Sequence, residues 1–526
     1  MTFEETFRST FAFNTPCIDL GHVLRNGQAA GELTVRIPLS TMNRHGLIAG
    51  STGTGKTRTL QLLAEGLSRQ GVPVFLADVK GDLAGLSRPG EANERINARV
   101  QSVGGTFVPE SFPVEFFSLT GARGAQLRAT VSSFGPVLLG KVLDLTEVQQ
   151  SVLAMVFQYC DDRQMALLDF DDLRSVLNHL SDEGKGELKE YGGMSSATVG
   201  VLVRKMVELE QQGADKFFGE PQLDLADLLR TVQTPAGARG VINVLSLSDV
   251  QDKPRLYSTF LMWLLGEFYE QMPEVGDPDK PKLVFFFDEA HQLFDDASSA
   301  LTEHIEQVSR LIRSKGIGVF FITQMPTDVP DNVLAQLGNR VQHAIRAFTP
   351  KDAKNVKATA STFPPSEFVD VAKSLTSLGT GEALVTVLSP RGIPTQVATA
   401  QILPPSSSMG TVDDAAYASA RAASSISAKY ATAINRESAH EIVQKRLAAS
   451  AEAAQQEQVD DAAFRPAPRM APSAASRPRA ARAPARSAAR ARKSGLERIA
   501  GNAVNQATRT ITQQVVRGIF GLLRGK

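Results

Sequence analysis

Eight residues constrain this chain more than any others: Gly50-Ser51-Thr52-Gly53-Thr54-Gly55-Lys56-Thr57 fits the pattern G-x-x-x-x-G-K-[ST]. The octet follows a short apolar stretch, Gly46-Leu47-Ile48-Ala49, that reads as a strand. It precedes a run of good helix formers over 59–70. In that context the glycines let the loop curl until its backbone N–H groups point inward at phosphate oxygens, and the N-terminus of the helix adds positive potential. Lys56 is then placed to reach β- and γ-phosphates, and the Thr57 hydroxyl to ligate Mg²⁺. ATP and Mg²⁺ are the expected cofactors. A chance lysine in a glycine-rich turn would satisfy the pattern but not its strand–loop–helix setting.

Around the octet, short apolar segments alternate with helices, which implies a mainly parallel sheet. Strands are expected at 32–39, 46–49, 72–77, 240–245, 282–287, 318–323, 340–347, 382–388 and 395–402. Between about 90 and 235 the apolar residues fall three and four apart, as at 145–159 and 198–212, and that stretch reads as helical. The expected organisation is a short N-terminal segment (1–40), the first part of an α/β core (41–90), a helical insertion (91–235) and the second part of the core (236–404). An Ala-rich helical extension (405–461), an Ala/Arg/Pro linker (462–495) and an amphipathic helix (496–526) follow.

A phosphate loop that hydrolyses nucleotide needs carboxylates for the metal and for water. Leu283-Val284-Phe285-Phe286-Phe287-Asp288-Glu289 is a buried strand ending in two acids. Asp288 is expected to hold Mg²⁺ and Glu289 to act as general base. The next apolar strand, Gly318-Val319-Phe320-Phe321-Ile322-Thr323-Gln324, ends in Gln324, a candidate sensor of the γ-phosphate. In Ser309-Arg310-Leu311-Ile312-Arg313 the arginines share one helix face, either as a finger for a neighbour's nucleotide or as a solvated basic face. Asp78-Val79-Lys80-Gly81-Asp82 could sit near the nucleotide or form a polar loop.

The formal charge is zero, from 56 basic and 56 acidic side chains, which taken alone argues against a nucleic-acid partner. Divided by segment, residues 1–404 carry 37 basic and 47 acidic side chains, and residues 405–526 carry 19 and 9. The neutrality is a cancellation between an acidic body and a basic tail, an asymmetry typical of interaction segments. Residues 465–493 hold nine basic side chains and no acid, and a tract of this composition cannot bury a core and is expected to be disordered. The closing amphipathic stretch could pack on the body or lie on a membrane surface. Two cysteines, Cys17 and Cys160, are too few for a disulfide framework or metal site, and no apolar run approaches a membrane span. A cytoplasmic protein is expected.

Asp288-Glu289-Ala290-His291 spells the box of the DEAH helicases. Those enzymes keep loop and box close within one lobe, whereas Lys56 and Asp288 lie 232 residues apart here. They also need a second lobe with a Gln/Gly/Arg-rich motif, which is not found, and the Ser196-Ala197-Thr198 triplet precedes the box. That reading is rejected. The stretch from Asn43-Arg44-His45-Gly46 through Lys56-Thr57, then Ala77-Asp78-Val79-Lys80-Gly81-Asp82-Leu83, resembles the bacterial HerA-like group of the HerA/FtsK superfamily. So do residues 281–294, Gly338-Asn339-Arg340-Val341-Gln342-His343-Ala344 and the terminal Gln514-Val515-Val516-Arg517-Gly518-Ile519.

The resemblance implies a RecA-like core, a homohexameric ring with nucleotides between subunits, and DNA passing through a central pore. It makes Lys56 and Thr57 the Walker A pair, Asp288 and Glu289 the Walker B pair, and Gln324 the sensor. Arg313 is then the finger acting in trans, with Arg310 its rival. Archaeal members begin with a β-barrel that docks a nuclease, and residues 1–40 are too short for one, which argues against a nuclease partner. The function expected is an ATP-driven DNA translocase or helicase. The alternatives are a secretion- or conjugation-like ATPase acting on protein, or a non-motor assembly protein that uses ATP to hold shape.

Overall fold

Parallel strands covered on both faces read as unbroken apolar runs, and the centre of the sheet is built from such runs. A computed structural model of the protein describes residues 2–103, 105–294 and 299–463. Among them is a 12-stranded sheet. Its strands in chain order are β1 (Cys17–Arg25), β2 (Gln28–Pro38), β3 (Gly46–Ala49), β4 (Val74–Asp78), β5 (Val114–Ser118) and β6 (Ala125–Gln126). A separate hairpin, β7 (Thr231–Thr234) and β8 (Gly237–Gly240), precedes β9 (Ile242–Ser246), β10 (Leu283–Phe287), β11 (Ile317–Thr323), β12 (Asn339–His343), β13 (Glu382–Thr386) and β14 (Ala398–Ile402). The order across the sheet is β2-β1-β14-β13-β12-β3-β11-β10-β4-β9-β5-β6. From β12 to β6 every pairing is parallel, and from β13 to β2 every pairing is antiparallel.

Side chains of successive residues leave a strand on opposite faces, so the Phe-rich strands feed two cores. Phe285, Phe287 and Phe321 join Phe260 and Trp263 of the helix Pro254–Gln271 on one face. Phe286, Phe320 and Ile48 join Leu60, Leu63 and Leu67 of the helix Lys56–Arg69 on the other. The helices Val131–Val142, Glu147–Asp162, Phe170–Ser181 and Ser196–Gln211 extend the first of these cores.

The segment 91–235 is not wholly helical. β5 and β6 lie within it and close the sheet, with Phe117 paired to Leu245 of β9. A five-residue strand is too short for its own periodicity to declare it, and its burial depends on a partner more than a hundred residues away. The first 40 residues likewise do not stand apart: β1 and β2 pair with each other, and β1 joins β14. Beyond β14, Pro405 to Gly410 strap back over the helix Lys56–Arg69. There the buried Glu65 accepts from the Ser406 and Ser407 N–H groups at 2.8 and 2.9 Å and from the Ser407 hydroxyl at 2.6 Å.

The chain divides into two units, Met1–Gln455 and Gln456–Lys526. Helices Asp414–Ala423, Ser425–Tyr430 and Ala439–Ala463 follow the strap, the last running two residues past the expected start of the Ala/Arg/Pro linker. The remainder of that linker and the amphipathic stretch 496–526 lie outside the described residues. No helix among the described residues is long and apolar enough to cross a membrane.

Candidate nucleotide site

Register brings the separate motifs to one edge. Ala49 is level with Thr323 on one side and Gln342 on the other, and Phe287 is level with Phe321 and Ala77. Gly50, Gln324, His343, Asp288 and Asp78 therefore all occur at the carboxyl ends of neighbouring parallel strands, where open α/β sheets bind ligands.

The loop itself is pinned from below. Gly50 donates to the Gln324 carbonyl at 3.2 Å and Ser51 to the Ala344 carbonyl at 2.9 Å, while the Ser51 hydroxyl accepts from the Arg346 N–H at 2.9 Å. Gly50 has φ +150°, and a Cβ there would lie 2.6 Å from Cβ of His343, so only glycine fits. His343, buried under the loop, links the Thr59 hydroxyl (2.8 Å, through Nε2) to the Glu382 carbonyl (2.9 Å, through Nδ1). An acceptor carbonyl at Nδ1 requires the proton there, so Nε2 accepts from Thr59. Burial lowers the pKa of this imidazole to about 4. His343 thus supports the phosphate loop from beneath.

Lys56 is 7% exposed, and its ammonium donates to the carbonyls of Gly50 (2.6 Å) and Ser51 (3.4 Å). Burial lowers its pKa, and Glu289 opposes that shift. Thr57 follows in the first turn of the helix, half-buried.

Across the edge, Asp288 and Glu289 are both buried. Oδ2 of Asp288 has no hydrogen-bond partner among the described residues. Burial, then the neighbouring Glu289, raises the Asp288 pKa to about 7, against the pull of Lys80. A buried, unpartnered carboxylate oxygen is a cation site in waiting. Among the described residues no group of three or more His, Cys, Asp or Glu could cage a metal. Mg²⁺ carried on phosphates needs only one or two protein ligands, so the unpartnered oxygen of Asp288 suits such an ion, with Thr57 in the first turn of the helix as the candidate second ligand.

Glu289 sits in the left-handed region at φ 48°, an uncommon conformation for a side chain of this size. Burial disfavours its charge, but an ion pair with Lys80, then Lys56 and His291, outweighs this and holds its carboxyl below the usual range. Nδ1 of His291 lies 3.3 Å from Oε2. Lys80 belongs to the loop after β4, whose Asp78 accepts from the Gly81 and Leu83 N–H groups at 2.7 and 3.1 Å. The order of β4 beside β10 is what carries Lys80 to Glu289, and that order was not visible in the sequence.

Gln324 is exposed between loop and acids, as its strand order requires, and its side chain has no hydrogen bond among the described residues. The two arginines are elsewhere. The helix Ser299–Leu311 and the turn Ile312–Lys315 lead into the start of β11, so Arg310 and Arg313 lie at the opposite edge of the sheet. The seven residues of β11 span about 20 Å. Arg310 is exposed, and Arg313 pairs with Asp277 at 2.9 Å, which Arg44 also approaches at 3.3 Å.

A family model described as helicase HerA-like C-terminal matches residues 24–526. The chain belongs to the HerA-like family. Two archaeal proteins named DNA double-strand break repair helicase HerA are similar to it. That of Sulfolobus acidocaldarius is 23% identical over 381 residues, covering 69% of this chain and 66% of its own length. That of Saccharolobus solfataricus is 24% identical over 376 residues, covering 69% and 65%. The chain thus spans about two thirds of the length of these HerA relatives. The solved plasmid coupling protein TrwB, in complex with a non-hydrolysable ATP analogue, covers 76% of this HerA-like chain and 92% of its own, at 14% identity and a TM-score of 0.49.

Proposed function

We propose that this HerA-like chain is an ATP-hydrolysing motor that acts on DNA as a ring of six subunits. The observation that carries the reading is the convergence of the buried Lys56 loop and the buried Asp288–Glu289 pair on one sheet edge, with Gln324 between them. That is the apparatus for in-line attack of water on a γ-phosphate. Glu289, kept ionised by Lys80, takes a proton from the attacking water. Lys56 meets the charge that develops on the β- and γ-phosphate oxygens, and Gln324 orients the water or the γ-phosphate. Thr57 and Asp288 are the residues that would hold Mg²⁺, which supplies further neutralisation of phosphate charge when bound.

Neither Arg310 nor Arg313 can reach the phosphates of its own subunit across the length of β11. Arg310 is exposed and Arg313 is held by Asp277 at the subunit's surface, positions from which either could serve the site of a neighbour in a ring with shared sites. DNA as substrate is supported by the names of the archaeal relatives and by the 19 basic against 9 acidic side chains of residues 405–526.

The test is ATP hydrolysis with and without single- and double-stranded DNA at several salt concentrations. DNA should stimulate turnover, and stimulation should weaken as salt rises. A rate indifferent to both forms of DNA would favour a protein substrate. Deletion of residues 462–526 should weaken DNA binding, and unchanged affinity would remove the tail from the proposal.

A further inference from the structure

Gln324 is exposed and its side chain makes no hydrogen bond among the described residues, so its aim depends on its backbone. That backbone is fixed from three directions. The Gln324 carbonyl accepts from the Gly50 N–H at 3.2 Å, which makes it part of the floor of the phosphate loop. On the preceding residue, the Thr323 hydroxyl donates to Oδ2 of Asp328 at 2.6 Å. On the following residue, the Met325 N–H donates to the same oxygen at 2.8 Å. The turn Pro326–Asp328 brings the carboxylate back, and the Asp328 N–H closes it on the Met325 carbonyl at 3.1 Å.

We infer that Asp328 is a positioning residue for hydrolysis, bracketing Gln324 on both sides so that its amide meets the attacking water or the γ-phosphate. The inference rests on the nucleotide reading above and names the residue that aims its sensor. Asp328 acts through Gln324 and touches no nucleotide in this role. With both flanking residues tied to one charged oxygen, the backbone of Gln324 cannot turn without breaking two charge-assisted hydrogen bonds, and only its side-chain torsions stay free. Thr323 is fully buried, and a hydroxyl in that position needs an acceptor, which Asp328 supplies. Placement of this kind matters because a shift of about 1 Å in a group that faces the reacting atoms can cost on the order of 10²-fold in rate.

Asp328 is also on the phosphate side of its turn. Burial lowers the pKa of Lys56, and the carboxylates that oppose the shift are Glu289, Asp288 and, last, Asp328. Two effects of the side chain are therefore separable by chemistry. The bracket needs only an oxygen acceptor, which a carboxamide offers as well as a carboxylate, whereas support of the Lys56 charge needs the negative charge itself.

The experiment is a double-mutant cycle on ATP hydrolysis by the full chain with Mg²⁺, in which kcat, KM and Tm are measured for wild type, Gln324→Ala, Asp328→Ala and the double variant. Gln324→Ala and Asp328→Ala should each lower kcat about ten-fold or more with KM for ATP changed little. The double variant should be no slower than Gln324→Ala alone, because the bracket then has nothing to aim. Asp328→Asn should recover most of the rate. Thr323→Val, which removes one of the two donors, should show a smaller loss that also vanishes in the Gln324→Ala background, and it carries the test if Asp328→Ala fails to fold. An Asp328→Ala loss that is the same with and without Gln324, or an Asp328→Asn protein as slow as Asp328→Ala, would overturn the positioning role while leaving the sensor standing. Gln324→Ala with wild-type turnover would remove the sensor reading itself and the role of Asp328 with it.

Discussion

Lys80 pairs with Glu289 across the gap between β4 and β10, so the carboxylate expected to activate water is held by a lysine from a different loop. The side chain of Glu289 is 5% exposed, and that of Lys80 is 45% exposed. A buried carboxylate stripped of its cation is destabilised and tends to take up a proton. Lys80→Met should therefore lower kcat about ten-fold or more with KM for ATP changed little, and Lys80→Arg should restore part of the rate. Steady-state kinetics of the three proteins decide the matter. A Lys80→Met protein that hydrolyses faster than wild type would mean that the ion pair restrains the base and does not position it.

In the proposed mechanism Lys56 and Glu289 serve different steps, and substitutions should separate them. Lys56→Ala removes the cation at the β/γ end and should abolish tight ATP binding and turnover together. Glu289→Gln keeps the shape of the site but cannot accept the proton. It should bind ATP with near wild-type affinity and turn over about 10²–10⁴-fold more slowly. Binding measured by calorimetry beside phosphate release would show the split, and a Glu289→Gln protein with normal turnover would remove Glu289 from the role of base.

How much of this site could be read in the sequence depends on how local each part is. The loop Gly50–Thr57 was legible because its glycines, its lysine and its flanking strand and helix all lie within about 25 residues. Asp288, Glu289 and Gln324 were legible because each closes a run of buried apolar residues. The partners of Lys80 and His343 were not legible, since their contacts depend on strand order, which no stretch of local sequence encodes. β5 was missed for the same reason: Val114–Ser118 is a strand because β9 pairs with it.

Arg313 should matter to the ring and not to its own subunit. It lies at the amino end of β11, tied to Asp277, while the phosphate loop lies at the carboxyl end of the neighbouring strand. Arg313→Ala should assemble and bind ATP yet hydrolyse it about 10³-fold more slowly, the usual loss for a finger residue. Mixing it with Lys56→Ala should recover activity, because some interfaces then combine an intact loop with an intact arginine. Absence of rescue, with full rescue in the same experiment using Arg310→Ala, would move the role to Arg310.

His343 ties loop integrity to pH. Burial chiefly, and then the nearby Lys56 and Arg99, lower its pKa to about 4, with the Glu382 carbonyl pulling the other way. In the unfolded chain the same imidazole titrates near 6.5. Between those values the unfolded form binds the proton and the folded form does not. The stabilisation is therefore present above about pH 6.5 and lost as pH falls toward about 4, to the extent of on the order of 3 kcal/mol. Protonation would also end the acceptance of the Thr59 hydroxyl by Nε2. Replacing the imidazole by an amide that does not titrate, in His343→Gln, should lower stability at neutral pH and flatten its decline in acid. Thermal denaturation of both proteins at pH 7.5 and pH 5 compares the two slopes, and identical losses of Tm on acidification would exclude His343 as the group responsible.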